Sequence, residues 1–376
     1  MNLRRVKAIS AKEFIQIMRD PRSLALAVVI PVVLLVLFGF ALTLDVDNVP
    51  LAIWNQDGSK TSRDFILNFR NSRYFKIVGY YDNYRELQKM LDYSRVMMAM
   101  VIPKDFSRLL DSAQAAPVQL LVDGSDSNTA TIAMGYVRSV VAGYNVNLIT
   151  NTLQKMGLGN TTPLEFRPRI WFNPNLLSKY FIIPGLIAII IMIISALLTS
   201  LTVSREWERG TMEQLISTPV KPVELIFGKF IPYFAIGFFD LVLAVVMSLY
   251  VFIVPFHGNM LLLIGASSVF LVAALMMGIM ISVTSKSQLA ASQVAMLTTF
   301  IPTFLLSGFM YPIFNMPKVI QLVTYLIPAR YYIVIIRGIY LKGNSIEVLW
   351  PQVLVLCLFA CVVVTIAVRS FKKKIA

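Results

Sequence analysis

The chain of 376 residues has two cysteines, Cys357 and Cys361, four apart in one apolar stretch, and one histidine, His257. Residues four apart share a helix face, so these cysteines cannot staple distant segments, and no disulfide framework exists. Two thiols and one imidazole also fall short of a tetrahedral zinc site. Charge is scarce: 14% of residues are Asp, Glu, Lys or Arg, against about 25% in soluble domains. With 57% hydrophobic residues and a mean hydropathy of +0.70, an ordinary soluble protein is excluded. The sequence also lacks a phosphate-binding G-x-x-x-x-G-K-[ST] loop. Gly228-Lys229 comes nearest, but Val223 stands where the first glycine must be and Phe230 where the magnesium-binding hydroxyl must be. Any ATP hydrolysis that drives this protein therefore comes from another chain.

What the chain has instead is long apolar runs with little or no charge. A bilayer core of about 30 Å needs roughly 20 apolar helical residues, and six segments qualify: 23–44, 180–204, 230–254, 260–285, 287–311 and 347–368. The third and fourth are joined by a polar hairpin, Pro255-Phe256-His257-Gly258-Asn259, in which His257 is a turn residue. Residues 312–346 are apolar in parts but carry Pro328, Arg330 and Arg337, which points to re-entrant or interfacial helices. Lys and Arg outnumber Asp and Glu by 34 to 20, a net charge of +14. The excess lines membrane boundaries, crowding residues 1–22, the loop after the second run and the tail 369–376, and it forms no patch with interleaved aromatics. Nucleic acid is thus not the expected partner, and both termini are expected in the cytoplasm. The first apolar run is too long for a cleavable signal and is expected to act as its own anchor.

The expected fold is an α-helical membrane protein with six transmembrane helices, cytoplasmic N and C termini and an inserted extracytoplasmic α/β domain. That domain, 45–179, alternates in pattern: strands at 49–54, 75–81, 96–102 and 118–122, and helices at 62–69, 84–93, 106–110 and 128–156. Asn83 and Glu86 stand at capping-box spacing ahead of the second helix. A returning strand is expected at 166–172. Asp123-Gly124-Ser125-Asp126 lacks the spacing of a calcium loop and reads as a capped turn. Asn160-Thr161-Thr162 matches a glycosylation triplet that matters only in a secretory eukaryotic setting.

On the cytoplasmic side, residues 1–22 place Leu3, Val6, Ile9 or Ser10, Phe14 and Ile17 on one side of an interfacial helix. Residues 205–229 begin with Arg205-Glu206-Trp207-Glu208-Arg209-Gly210-Thr211, continuous with the second span. Gly210 permits a break, Thr211 and Gln214 stand at capping-box spacing, and Thr218-Pro219 ends the short helix. Such a helix is a handle through which a push rotates the second span. Glu206, Glu208 and Glu213 are expected in ion pairs with Arg205, Arg209 or a partner surface, since no phosphate cradle, metal or histidine stands beside them.

These segments resemble the membrane subunit of ABC-2-type exporters of the multidrug or sodium class, which carry a large insertion after the first span. The resemblance runs through Lys12-Glu13, Arg19-Asp20-Pro21, Arg205 to Thr211, Glu213-Gln214-Leu215 and Pro219. It continues in Leu306-Ser307-Gly308-Phe309-Met310-Tyr311-Pro312, Met316-Pro317, Ile327-Pro328-Ala329-Arg330-Tyr331-Tyr332 and Arg337-Gly338. It implies a multi-pass protein of the bacterial inner membrane and a second permease copy or paralogue. It further implies cytoplasmic ATPase subunits, which bind ATP and magnesium in place of this chain. These would dock on an interfacial helix carrying Lys12, Glu13, Arg19 and Asp20, and on a coupling segment carrying Arg205, Glu206, Glu208, Arg209, Gly210, Thr211, Glu213 and Leu215. Amphiphilic or cationic small molecules are the implied cargo, with a periplasmic adaptor as a further partner. Asp240, inside the third run, and Met296, Phe300 and Phe304, in the fifth, are candidates for the path, a membrane-embedded charge being expensive enough to suggest function. Two other readings use the same residues: an ATP-independent antiporter working through Asp240, and a membrane scaffold whose outer domain binds a partner.

Overall fold

A computed structural model describes residues 2–41, 48–112, 114–155, 171–173, 177–285 and 287–371. The chain divides into two units, Leu44–Arg169 and the remainder, each of which is taken by itself.

In the first part of the larger unit, helix α1 (Leu3–Arg19) stops at Asp20, whose backbone is extended. Pro21 then opens α2 (Pro21–Leu24), as its fixed φ and missing N–H suit a first helical turn. A π-turn over Ala25–Val29 leads into α3 (Ile30–Ala41). Pro31 follows that turn by two residues, and its missing donor breaks the i→i−4 ladder there. The helical run 21–41 rises about 31 Å at 1.5 Å per residue, close to the thickness it would have to cross. Residues 42–44 of the expected first span lie outside the described residues.

The smaller unit is an α/β domain. Its elements in order are β1 (Val49–Asn55), α4 (Lys60–Arg70), β2 (Phe75–Tyr80), α5 (Tyr84–Asp92), β3 (Met98–Ile102), α6 (Phe106–Asp111), β4 (Gln119–Val122) and α7 (Ser127–Lys155). The sheet order is β2-β1-β3-β4, with β1 parallel to both neighbours and β4 antiparallel to β3. Alternation along β1 sends Leu51 and Ile53 to one face and Ala52 to the other. On the first face Phe65, Ile66 and Phe69 of α4 pack with Phe106 and Tyr144; on the second, Leu87 of α5 packs with Val96, Ala99 and Val101. Asn83 accepts from the Glu86 N–H at 2.8 Å and so caps α5. Asp123 accepts from the Ser125 N–H and hydroxyl, closing a turn. The expected strand at 166–172 is not a strand over Trp171 and Phe172, and its remainder, like the triplet at 160–162, lies outside the described residues.

The rest of the larger unit is helical: α8 (Ser178–Glu208), α9 (Thr211–Ser217), α10 (Pro222–Tyr250), α11 (Met260–Thr284), α12 (Gln288–Ala295), α13 (Ile301–Leu306), α14 (Lys318–Thr324), α15 (Pro328–Arg337) and α16 (Ile346–Ser370). A π-turn over Met296–Phe300 joins α12 to α13, again two residues before a proline, Pro302. Among the described residues five helices are long and apolar enough to cross a membrane: α8, α10, α11, the run from Gln288 to Leu306, and α16. α14 and the helix Pro328–Lys342 form a pair bent by 81°, which gives six if the pair is one span. The chain is thus a multi-span α-helical membrane protein with a β-sheet insertion. Two expected boundaries shift: the helix of the third span begins at Pro222, and the fifth ends at Leu306, so most of 205–229 is helical rather than loop.

α8 is the axis of this unit, buried on nearly every side. Its closest neighbour is α11, because Gly278 lets the two backbones meet: a Cβ there would sit 2.0 Å from Thr199 Oγ1 and 2.5 Å from the Ala196 carbonyl. Small residues and side-chain hydroxyls commonly hold membrane helices this way. Here Thr199 donates to the Leu275 carbonyl at 2.9 Å, and Ser282 Oγ accepts from the Val203 N–H at 2.9 Å. Arg337 ties α15 to the exit of the fifth span, donating to the Gly308 and Phe181 carbonyls and lying 3.4 Å from the centre of the Phe181 ring.

Candidate functional site: a buried charge cluster where three helices converge

Three helix ends meet below α8. α1 lies against the N-terminal end of α10, where Gly228 leaves room for Ile9, a Cβ being only 2.7 Å from that side chain. Ser10 donates to the Gly228 carbonyl at 2.8 Å. At the start of α1, Glu224 accepts from the Asn2 N–H at 2.6 Å and from the Lys221 N–H at 3.0 Å, and pairs with Arg5 at 3.6 Å. Arg5 also donates to the Pro219 carbonyl. The contact face of α1 is Val6, Ile9, Ser10, Glu13 and Ile17, which corrects the expected stripe. Leu3 and Phe14 are exposed, together with Ile15 and Met18, and a carboxylate sits in the face instead.

That carboxylate, Glu13, is 3% exposed and accepts from Lys229 Nζ at 2.6 Å. Lys229 is 1% exposed, and its three donors also reach Glu206 Oε1 and the Thr202 carbonyl, each at 3.3 Å. Lys12 closes the group, donating to Glu206 and standing 3.5 Å from Glu13. Two cations and two carboxylates thus neutralise one another where α1, α8 and α10 converge. Burial pulls the Lys12 ammonium down, but its hydrogen bond to Glu206 and the charges of Glu13 and Glu206 hold it above the ordinary lysine range.

The start of α9 hangs on the same group. Gly210 takes a left-handed backbone, φ 69°, which a side chain would strain, and so permits the corner between α8 and α9. Thr211 is not the cap expected from its spacing with Gln214: it lies inside α9 and donates to Glu206 Oε2 and the Glu206 carbonyl. Leu215 packs half-buried beside Met212 and Val203, while Glu213 is exposed in the first turn.

The remaining predicted residues spread outward. Arg205, 8% exposed, pairs with Asp20 at 3.4 Å and donates to Gln288 at 3.4 Å. Glu208 accepts from Gln288 Nε2 at 2.5 Å. Arg19 and Arg209 are exposed. Ion pairs of Glu206 therefore run to Lys12 and Lys229, and the described partner of Glu208 is a glutamine, in place of the pairs expected with Arg205 and Arg209. Sequence reasoning missed Lys229 as part of this group. Its one available signal was a lone cation at the mouth of an apolar run, and the carboxylate that answers it is 216 residues away.

The candidate path residues do not form one constellation. Phe300 and Phe304 lie 5.6 Å apart and Phe304 continues to Phe309 at 5.9 Å, while Met296 is half exposed. Asp240 is on another helix, α10, 5% exposed, and neither carboxylate oxygen has a hydrogen-bond partner among the described residues. No three His, Cys, Asp or Glu side chains among the described residues converge where a metal could sit.

Comparison with known proteins identifies the family. Residues 21–369 match the family described as ABC-2 family transporter protein. The chain is 39% identical over 376 residues to "Probable multidrug ABC transporter permease YbhS" of Escherichia coli (strain K12), covering 100% of this chain and 98% of that one. It is 30% identical over 371 residues to "Probable multidrug ABC transporter permease YbhR" of the same strain, covering 99% of each. The "Inner membrane transport permease YhhJ" of that strain is 28% identical over 333 residues, 87% of this chain and 86% of the relative. With no phosphate loop, several membrane-crossing helices and a family match over nearly its whole length, this chain belongs to the ABC-2 transporter family and is the membrane permease component of an ABC-type transporter.

Proposed function

We propose that the permease is an exporter of amphiphilic or cationic small molecules, driven through the charge cluster by a pair of cytoplasmic ATPase subunits. The observation that supports this reading is the convergence of α1, the end of α8, the corner into α9 and the mouth of α10 on Lys12, Glu13, Glu206 and Lys229. A push on α1 or α9 cannot be absorbed locally, because each is tied by buried ion pairs or hydrogen bonds to α8, the helix that forms the axis of the unit. ATP binding to the partner supplies differential contact energy for two states of the permease, and the cluster carries that bias into α8. On this reading α1 floats its exposed Phe14, Ile15 and Met18 in the cytoplasmic headgroup layer. The run 21–41 is the first of six spans, the bent pair α14 and α15 is re-entrant, both termini are cytoplasmic and the α/β domain is extracytoplasmic. A second permease subunit completes the path, and the inner membrane is the location, as the name of one relative, YhhJ, suggests by analogy.

Asp240 favours a charge-selective point on that path: an unpaired carboxylate inside a span is costly and attracts a cation or a proton. The test is ATP hydrolysis and drug-stimulated turnover of the complex in liposomes. Asp240→Asn is expected to alter stimulation by cationic compounds while basal hydrolysis stays; loss of all hydrolysis would refute the assignment. Co-purification of an ATPase with the wild-type chain is the wider test, and its failure under every condition would overturn the exporter reading.

A further inference from the structure

We infer that the cleft between α1 and the end of α8 binds the phosphate headgroup of an anionic phospholipid. The cleft has a volume of about 780 Å³ and opens beside a second hollow of about 400 Å³ that shares Lys12, Gln16, Arg205 and Arg209. Its polar wall carries Lys12, Arg19, Arg205 and Arg209 against the single carboxylate of Asp20. Lys12 and Arg205 already have anionic partners, Glu206 and Asp20. The side chains of Arg19 and Arg209 have none among the described residues, so two guanidiniums border one cleft without an anionic partner, and a guanidinium's donor fork suits a phosphate in bidentate fashion.

Part of the wall is apolar. Ile15, Leu26 and Leu201 line it, and Leu26 belongs to the π-turn at the start of the first apolar helix. A soluble anion gains nothing from that wall, whereas a phospholipid places its glycerol and first methylenes there and its phosphate on the arginines. The position suits this occupant: Pro21 begins an apolar run just where α1, with its exposed Phe14, Ile15 and Met18, ends. A lipid seated there bridges Arg19 of α1 to Arg209 at the α8 corner, next to but outside the ion pairs of the buried cluster.

The test is binding of short-chain dioctanoyl phosphatidylglycerol to the full chain in dodecyl maltoside, read by native mass spectrometry, with dioctanoyl phosphatidylcholine and inorganic phosphate as comparison probes. The wild-type chain is expected to prefer the anionic lipid, and Arg19→Gln combined with Arg209→Gln to weaken it by about tenfold or more, since each substitution removes a cation that attracts the headgroup. Lys318→Gln, a cation outside the cleft, should leave binding unchanged. Equal affinity in the wild type and the double variant overturns the inference. Equally strong binding of phosphatidylcholine overturns it too, and displacement of the lipid by inorganic phosphate at the same concentration overturns the lipid assignment in favour of a bare anion site. Salt dependence of the wild-type chain supplies a readout that needs no variant: affinity for the anionic lipid should fall between low and high sodium chloride, and a salt-independent affinity would contradict the proposal.

Discussion

The two units of this protein bury opposite things. In the α/β insertion the core is apolar on both faces of the sheet, and Ser62 is its one buried polar residue among those described. The helical unit, which is far more apolar in sequence, buries Glu13, Arg205, Glu206, Glu224, Lys229 and Asp240. The insertion keeps its charged side chains out of its core. The membrane unit places most of its buried charges where α1, α8, α9 and α10 converge. A buried ion pair contributes little net stability over an apolar substitute, because desolvation offsets the attraction. What it supplies is a penalty for any mismatch of partners, which is a property a moving joint needs and a static core does not.

Substitutions in the two units should therefore fail differently. The largest effect is expected for Lys229→Met, which leaves Glu13 and Glu206 buried with one cation between them and costs about 3–5 kcal/mol. Thermal unfolding of the detergent-solubilised chain would report it, and a melting temperature equal to wild type would deny the cluster any structural role. Phe65→Ala, which removes a ring packed on Phe69, Phe106 and Tyr144, should cost a similar 3–5 kcal/mol. Its damage should stay within the insertion: amide exchange rises in β1, β3 and α4 while the helical unit keeps its protection. Gly278→Ala is expected to cost about 1–3 kcal/mol by overpacking α8 against α11, read as a lowered melting temperature. A smaller effect separates the units by pH. Burial would raise the Asp57 carboxyl, but bonds from Ser59 and Ser107 outweigh it and hold the group below its ordinary value. The folded form thus binds its proton less readily than the unfolded chain. The stabilisation is present above about pH 4 and is lost on acidification below that. Hydrogen exchange around Ser59 and Ser107 should rise below pH 4 in the wild type, and Asp57→Asn should remove that step.

Much of the architecture was legible because it rests on local pattern. Runs with little charge located the helices, although α10 starts at Pro222, ahead of its run, and alternation with β-branched and turn residues located all four strands of the insertion. The Asn83 cap formed as its spacing predicts. Where readings failed, a distant partner had decided the outcome. Thr211 stands at a cap position, yet its hydroxyl goes to Glu206 and Gly210 turns the corner without it. Phe14 fits the apolar stripe of α1 by spacing, but α10 meets the helix along the side that holds Glu13. Lys229 drew notice only as part of a failed phosphate loop, since nothing within a helical turn of it carries the matching charge. Period and composition report what one element buries; they do not report which side of it another element will meet.

The central claim is that the cluster transmits motion rather than only holding helices together. The most direct test compares Lys229→Met with the double variant Lys229→Met, Glu13→Leu, in the complex with its co-purified ATPase in liposomes. Replacing a buried pair by apolar groups should restore much of the stability lost by removing one partner. The account predicts that the double variant regains its melting temperature and still binds the ATPase, yet fails to couple ATP hydrolysis to transport. Wild-type coupled hydrolysis in that stable variant, which lacks the Lys229–Glu13 pair, would contradict it.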